Sequence, residues 1–346
     1  MSVDDNLSLA ERGRASHRCE LALLALMSVV LFALFFVSLF VGPVSIDLFS
    51  SEWTLFGGSS SVAAVILQEI RLPRTILAIF IGATLGISGA ALQGLLRNPL
   101  AEAGVIGISG SASLGAVIAF YSGAAAIFPL ALPIGGITGA MLAVIFLYLL
   151  AGRESSILTL ILAGIAVTSL SGALTALALN LSPNPYAATE IFFWLMGSLA
   201  DRSFEHVQIA VPLMVIGVFS LISCRRGLDA LALGEDTARS LGVNLNRLTL
   251  RIIVGVALSV GAAVSVAGGI GFVGLVVPHL LRPFVGHQPG KLLLASALGG
   301  ALLLLVADIA VRLLSTGQEL KLGVLTSLIG APFFLYLVLK TRRQLL

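Results

Sequence analysis

Long apolar runs separated by short polar segments organise almost the whole chain. A membrane-spanning helix needs about 20 apolar residues, and runs near that length predict ten spans, with nine as the alternative because the run at 272–285 is short and broken by glycine. We therefore expect an all-α polytopic membrane protein with a single transmembrane domain over residues 1–346. The predicted spans are 21–42, 72–94, 104–121, 126–150, 157–180, 205–224, 250–267, 272–285, 292–313 and 323–340.

The charged leader at 1–20 precedes an apolar run that is too long for a secretory signal. Such signals have an apolar core of roughly 7–15 residues and a small-residue cleavage site, whereas Gly42 and Pro43 follow this run. We interpret the leader as cytoplasmic and the run as the first span. An even number of spans then places both termini in the cytoplasm.

The distribution of basic residues supports this orientation. Cytoplasmic segments of membrane proteins carry an excess of Lys and Arg, and all but five of the 20 lysines and arginines fall on the predicted inner side. With 58% hydrophobic and 11% charged residues, the composition excludes an ordinary soluble domain. The basic residues lie between apolar runs and form no patch, which argues against nucleic-acid binding. The five exceptions are Arg71, Arg74, Arg202, Arg312 and Lys321.

Two of these exceptions, Arg71 and Arg74, flank Pro73 at the predicted outer end of the second span. A spacing of three places them on one helix face. They could lie at the membrane interface or pair with Glu69. Alternatively, their guanidinium groups could bind carboxylates of an external partner in a bidentate manner. Spacing alone leaves both interpretations open.

Asp308 and Arg312 lie four residues apart near the predicted outer end of the ninth span. An ion pair within the helix is the favoured interpretation, and a proton relay is the alternative. A relay normally needs further acidic or histidine side chains, and the other spans provide no match. His279 beside Pro278 is interpreted as a structural residue and not as a metal ligand.

The longest hydrophilic segment, 225–251, predicts a cytoplasmic element with two short helices. Gly234 separates the two helices, and Gly242 is placed to cap the second. Leucines recur among its charged residues, which predicts a surface that a partner covers. The alternative is that the segment folds back onto the bundle.

Five motifs together resemble the membrane permeases of ABC importers for iron-siderophores, haem and vitamin B12. They occur in the same order as in that family and extend over most of the chain. The resemblance implies a type II importer permease fold with about ten helices. The motifs are RLPRT (71–75), RNPLAEAG (97–104), LALGEDTARSLGVN (231–244), GGIGFVGLVVPHLLR (268–282) and LGVLTSLIGAPFFLYLVLK (322–340).

The resemblance also implies partners and site residues. Two permease subunits, identical or different, would surround the pathway, with two cytoplasmic ATP-binding cassette ATPases and an external substrate-binding protein. The chain itself would be no enzyme and bind no cofactor or metal, because ATP and Mg²⁺ belong to the ATPase. Matching positions are docking residues Arg71, Arg74 and Arg312; ATPase-coupling residues Leu233, Gly234, Glu235, Ala238, Arg239, Ser240, Leu241 and Gly242; and gate residues Ser155, Ser156, Ile157 and Leu158.

One departure from the family pattern lies before the last span, where Lys321 replaces a common proline. This replacement loosens a turn or adds another outer charge. A metal chelate such as a ferric siderophore, haem or cobalamin is the expected cargo, although the sequence does not specify which. An ion-coupled secondary transporter is the alternative function. It would require acidic residues lining an intramembrane cavity, for which only Asp308 qualifies.

Overall fold

Helices form the secondary structure of the part of the chain that the computed structural model describes, residues 9–42, 62–128, 130–152, 157–182, 185–314 and 320–345. A π-helical turn, Ile66–Arg71, joins α2 to α3, and a 3-10 turn, Arg282–Val285, follows α13. The helices are α1 (Leu9–Phe40), α2 (Val62–Val65), α3 (Leu72–Leu95), α4 (Ile108–Tyr121), α5 (Ala124–Ile127), α6 (Ala131–Ala151), α7 (Ile157–Asn180), α8 (Pro185–Leu195), α9 (Phe204–Ser223), α10 (Arg225–Leu231), α11 (Glu235–Ser240), α12 (Leu245–Ala267), α13 (Val273–Leu281), α14 (Pro289–Leu314) and α15 (Leu322–Leu345).

Ten apolar elements correspond to the ten predicted spans. Within the described residues, seven helical segments are long and apolar enough to cross a membrane. Three shorter apolar elements complete the set: α4, α13 with its 3-10 turn, and α15. The prediction of about ten spans is confirmed, whereas the sequence pattern missed α8, an amphipathic helix before α9.

Burial divides the bundle into an inner and an outer set of helices. Most residues of α3 and α12 and many of α14 are buried against other helices, whereas α1, α6, α7 and α9 expose large apolar side chains. Such exposed apolar faces are expected where a helix contacts lipid or another subunit. The inner helices approach closely because small residues line their seams: a Cβ on Gly82 would lie 2.3 Å from the Gly300 carbonyl oxygen.

The start of the second span differs from its prediction. Pro73 is expected in the first turn of a helix, where its missing N–H has no cost, but the helix continues upstream to Val62 through the π-helical turn. A proline inside an α-helix clashes with the carbonyl four residues earlier. The wider turn relieves this conflict, and the Leu72 N–H reaches back to the Leu67 carbonyl. Arg71 ends the π-helical turn, so the turn sets its direction.

Candidate functional site

Asp308 on α14 is the centre of a charged cluster at the predicted outer end of the bundle. Its side chain is fully buried, with 0% exposure. Arg74 Nε lies 2.8 Å from Oδ1, and Arg312 Nη2 lies 2.8 Å from Oδ2. The expected i,i+4 ion pair with Arg312 is therefore present. The sequence pattern did not predict Arg74 as a second partner of Asp308. Charged side chains within a membrane pair with one another.

The cluster also holds the end of α1. Arg71 Nη1 donates to the carbonyl oxygens of Leu39 and Phe40, each at 2.9 Å. Arg312 Nη1 donates to the carbonyl oxygens of Ser38 and Val41 at 2.8 and 2.9 Å. The last carbonyls of a helix have no partner within the helix, and cations stabilise that end of the helix dipole. Arg71 and Arg312 thus cap α1 from neighbouring helices.

The three predicted docking arginines therefore point into the bundle. Arg71 is 4% exposed, and the side chains of Arg74 and Arg312 are 13% and 5% exposed. The structure brings the three together and engages them in contacts within this chain. Docking through them stays a prediction, and it would require a partner to compete with Asp308 or with the α1 carbonyls.

Arg202 and Lys321, two further exceptions to the charge rule, also lie close to other side chains of this chain. Arg202 lies before α9, where burial lowers the pKa of its guanidinium and the nearby Asp201 carboxylate opposes that shift. Lys321 Nζ lies 6.0 Å from the centroid of the Phe193 ring, within the range of a cation–π contact. The lysine that replaces the family proline thus contacts α8.

At the opposite end, α10 and α11 form the two-helix segment that the sequence predicted. Gly234 separates them with φ of 111°. After α11, the Gly242 N–H donates to the Arg239 carbonyl and the Val243 N–H donates to the Ala238 carbonyl. These two bonds form a Schellman motif, which favours glycine because the residue after the helix adopts a left-handed conformation. Gly242 has φ of 82°, as that motif requires.

The two-helix segment is anchored on one face and exposed on the other. Leu228, Leu231 and Ala238 are buried. The Asp229 carboxylate accepts a 2.7 Å hydrogen bond from the backbone N–H of Gly290, at the beginning of α14. In contrast, Leu233 and Leu241 are 68% and 63% exposed. The segment therefore packs on the bundle with one face and exposes Leu233 and Leu241 on the other, hereafter the coupling surface. The sequence offered a partner-covered surface and folding back onto the bundle as alternatives, and each describes one face of the segment.

A cavity of about 530 Å³ brings the predicted gate and coupling residues together. Ile157, at the start of α7, lines this cavity with Glu235 and Arg239 of α11. Glu235 and Arg239 form a loose, exposed ion pair of 3.8 Å. Leu158 is exposed, and the gate positions Ser155 and Ser156 lie outside the described residues. The gate assignment stays a prediction.

Two of the family motifs meet at the N-terminus of α13. Glu102 of the RNPLAEAG loop lies beside the backbone N–H of Phe272, the residue that precedes α13. Burial raises the pKa of Glu102 above its ordinary value of 4.5, and the Phe272 N–H opposes the shift. The glycines of this region serve backbone packing: a Cβ on Gly268 would lie 2.2 Å from the Trp194 carbonyl oxygen. Sequence reasoning did not identify Glu102 as a positioning residue.

The described residues contain no group of three or more His, Cys, Asp or Glu side chains placed to hold a metal ion. The ionisable residues of the outer cluster, Glu102 and the ion pair of the coupling segment each make contacts of their own.

Comparison with known proteins identifies a family with these features. The FecCD transport family matches residues 30–340. The chain is 41% identical to the vitamin B12 import system permease protein BtuC of Vibrio cholerae, over 82% of this chain and 86% of that protein. It is 35% identical to the hemin transport system permease protein HmuU of Yersinia pestis, over 96% and 98% of the two chains.

One further relative and one solved structure have names that refer to iron or metal chelates. The Fe(3+) dicitrate transport system permease protein FecD of Escherichia coli is 39% identical over 80% of this chain and 86% of its own length. A solved structure described as an inward-facing metal-chelate type ABC transporter superposes with a TM-score of 0.82 at 32% identity. It covers 92% of this chain and 98% of that one.

Proposed function

Because this chain belongs to the FecCD transport family, we propose that it is the permease subunit of an ATP-driven importer that carries a metal chelate across the bacterial inner membrane. The cargo class is a ferric siderophore or a chelate of the haem or cobalamin type, as the names of its relatives suggest. The observation that carries the proposal is the exposed coupling surface on an anchored two-helix segment.

ATP hydrolysis in this proposal takes place on a separate ATP-binding cassette subunit. Leu233 and Leu241 are large apolar side chains that stay exposed outside the membrane-spanning helices, and such residues mark contact sites for other proteins. Leu233 lies between α10 and α11, and Leu241 directly follows α11. Both fall within the coupling residues 233–242 that the family resemblance implies. ATP and Mg²⁺ would bind to the partner, and this chain would supply no bond-making chemistry.

The connections of the coupling surface define how a movement would reach the membrane. The Asp229 contact joins α10 to the beginning of α14, while the Asn244 side chain caps α12 by accepting a 3.0 Å bond from the Arg247 N–H. A displacement of the segment would therefore pull on two inner helices. Ile157 lies on the cavity beside α11, so the same displacement would reach the proposed gate.

The remaining partners follow from the same assignment. A second permease subunit, identical or different, would complete the pathway, and both termini would lie in the cytoplasm. An external binding protein would deliver the chelate to the opposite end, where Arg71, Arg74 and Arg312 lie. In this proposal, carboxylates of the binding protein would replace Asp308 or the α1 carbonyl oxygens as the hydrogen-bond acceptors of these arginines.

The decisive experiment removes the coupling surface without disturbing the bundle. The Leu233→Ser and Leu241→Ser double variant is reconstituted into proteoliposomes with an ATP-binding cassette ATPase and a chelate-loaded binding protein. We expect normal folding, because exposed substitutions change stability by no more than about 0.5 kcal/mol, together with loss of ATPase association and ATP-dependent uptake. Leu314→Ser, at the other end of α14 and equally exposed at 63%, is the matched control.

Two results would contradict the proposal. Uptake that needs neither ATP nor the ATPase would support a secondary transporter instead. Uptake and ATPase association that are equal in the double variant, the control and the unmodified chain would show that the exposed leucines do not couple the subunits. Ferric siderophore, haem and cobalamin, each with its binding protein, distinguish the cargo.

A further inference from the structure

A second cavity, of about 250 Å³, lies at the end of the bundle that carries α10 and α11. It is formed where the end of α3, the 3-10 turn after α13 and the beginning of α14 meet. Three basic residues line it: Arg97, Arg282 and His287. No Asp or Glu is among its lining residues, and no described salt bridge involves any of the three. We name it the basic cavity.

Arg282 is held in place by a buried amide. Its Nη2 donates a 2.7 Å hydrogen bond to Gln93 Oε1, and Gln93 Nε2 donates in turn to the Gly274 carbonyl oxygen at 3.3 Å. Gln93 is buried, so the amide has a fixed orientation. A guanidinium group carries five N–H donors, and this bond uses one of them. The chain therefore positions a cation whose other donors are available to a ligand in the cavity.

The backbone also directs basic residues to this cavity. Arg97 and His287 have φ of 49° and 62°. Left-handed conformations are uncommon for residues other than glycine and cost free energy. Both strained residues line the basic cavity, one from the loop after α3 and the other from the loop before α14. Arginine side chains held in this way favour an oxyanion with several acceptor oxygens, and phosphate has that chemistry.

Apolar side chains beside the basic cavity indicate where the phosphate comes from. Leu280 and Phe284, four residues apart on either side of Arg282, are both exposed. Basic pockets between membrane helices at the end facing the cytoplasm bind phospholipid head groups. An inorganic phosphate ion would gain nothing from an adjoining apolar surface, whereas a phospholipid has acyl chains to place against it. We propose that the basic cavity binds the phosphate of an anionic phospholipid in the leaflet at the α10–α11 end.

The test measures lipid binding to the purified full-length chain. Native mass spectrometry in detergent counts bound phosphatidylglycerol and phosphatidylcholine, each titrated separately, and a third titration adds inorganic phosphate as competitor. The test variant is Arg97→Asn with His287→Asn, because asparagine tolerates left-handed backbone better than most residues and both positions are exposed. Arg225→Asn with Arg226→Asn removes two exposed basic residues outside the cavity and is the matched control.

We expect the unmodified chain to retain phosphatidylglycerol in preference to phosphatidylcholine. Since an arginine near a membrane surface contributes about 1 kcal/mol to anionic lipid binding, and about 1.4 kcal/mol corresponds to a factor of ten, the loss of Arg97 should weaken phosphatidylglycerol binding by the test variant about fivefold. The control should bind as the unmodified chain does. Equal retention of the two lipids, or equal losses in test variant and control, would overturn the proposal. Displacement of the lipid by millimolar inorganic phosphate would overturn the assignment to a phospholipid and support a free phosphate site.

Discussion

The two ends of the bundle differ in how deeply their charged residues are buried. At the predicted outer end, Asp308, Arg74 and Arg312 are buried and bind one another. At the other end, Glu235 and Arg239 form a weak exposed pair between two exposed leucines. The family resemblance predicted a functional role for both regions. The difference in burial shows that the outer charges fasten helices together in this chain, whereas the inner surface is open to a partner.

The physical reason for the difference is the cost of an unpaired charge away from water. A charge inside the membrane region requires a partner, so the outer cluster recruits the α1 carbonyls as well as Asp308. The coupling surface lies outside the membrane-spanning helices, where exposed charges are solvated and exposed pairs contribute little. The two ends therefore differ in what they expose: the outer cluster buries its charges, and the coupling surface exposes two leucines.

The largest effect is expected from Asp308→Asn, which removes the negative charge and keeps the size of the side chain. Breaking a buried ion pair costs about 3–5 kcal/mol, because the remaining charge stays buried without its partner. Arg74 and Arg312 would both lose a 2.8 Å contact. We expect a large fall in the unfolding temperature of the full-length protein in detergent.

Glu190→Gln is the control for this prediction, since Glu190 is an exposed carboxylate on α8. Its unfolding free energy should change by no more than about 0.5 kcal/mol. Similar unfolding temperatures for the two variants would show that the outer cluster is not a structural element, and the contrast between the two ends would fail.

An intermediate effect is expected from exchanging the charges of Arg74 and Asp308. Arg74→Asp and Asp308→Arg are each destabilising, and the double variant restores one opposite-charge pair. Contacting pairs show interaction energies of up to about 3 kcal/mol, and we expect about 2 kcal/mol of recovery in a double-mutant cycle of unfolding measurements. No recovery would mean that Arg74 and Asp308 do not stabilise the fold as a pair.

The same double variant separates packing from docking. If a binding protein docks on Arg74, the double variant should recover stability, but its capture of the chelate-loaded binding protein in a pull-down should remain weaker than that of the unmodified chain. Capture that recovers in parallel with stability would contradict docking through Arg74, and the outer arginines would then be structural alone. The reversal of Arg71 and Arg74 to Glu is a poorer test, because it would also remove the contacts that hold α1.

The smallest effect is expected at Glu102, which is neither as buried as Asp308 nor as exposed as Glu235. Burial raises the pKa of Glu102 above 4.5, so the folded chain binds its proton more tightly than the unfolded chain does. The unfolding free energy should therefore fall as pH rises through the folded pKa. Glu102→Gln removes this dependence and keeps an oxygen that accepts the Phe272 N–H.

We expect Glu102→Gln to be more stable than the unmodified chain at neutral pH, by at most about 1 kcal/mol, with the difference vanishing in acid. Thermal unfolding across a pH series measures it. Glu190→Gln, an exposed glutamate on α8, should leave the unfolding profile unchanged. A Glu102→Gln variant that is less stable at neutral pH would show that the carboxylate charge is needed to hold α13.

Much of the fold could be predicted, because bilayer thickness sets helix length. The apolar runs located ten elements, and the glycines at 234 and 242 located the breaks of the coupling segment, which has φ values of 111° and 82° there. The amphipathic helix α8 was missed because it is too short to resemble a span. The start at Val62 was missed because a π-helical turn lets a helix continue past Pro73.

The candidate sites could be predicted less completely. The family resemblance predicted coupling residues between 233 and 242, and it placed Arg71, Arg74 and Arg312 at one end. It could not show which way their side chains point. Asp308 meets Arg74 across 234 positions of sequence, and Glu102 reaches Phe272 on a distant helix. Such contacts depend on how helices pack, and helical periodicity describes only one helix at a time.

The sequence by itself determined that this protein crosses the membrane many times, that its basic residues favour one side, and that it carries the motifs of one family. Those properties depend on local composition and on the free energy of placing each segment in lipid. Tertiary structure alone decided that the outer arginines are buried, that Leu233 and Leu241 are exposed, and that Arg97, Arg282 and His287 share a cavity. The reason is that burial belongs to contacts between distant segments, which form only when the helices assemble.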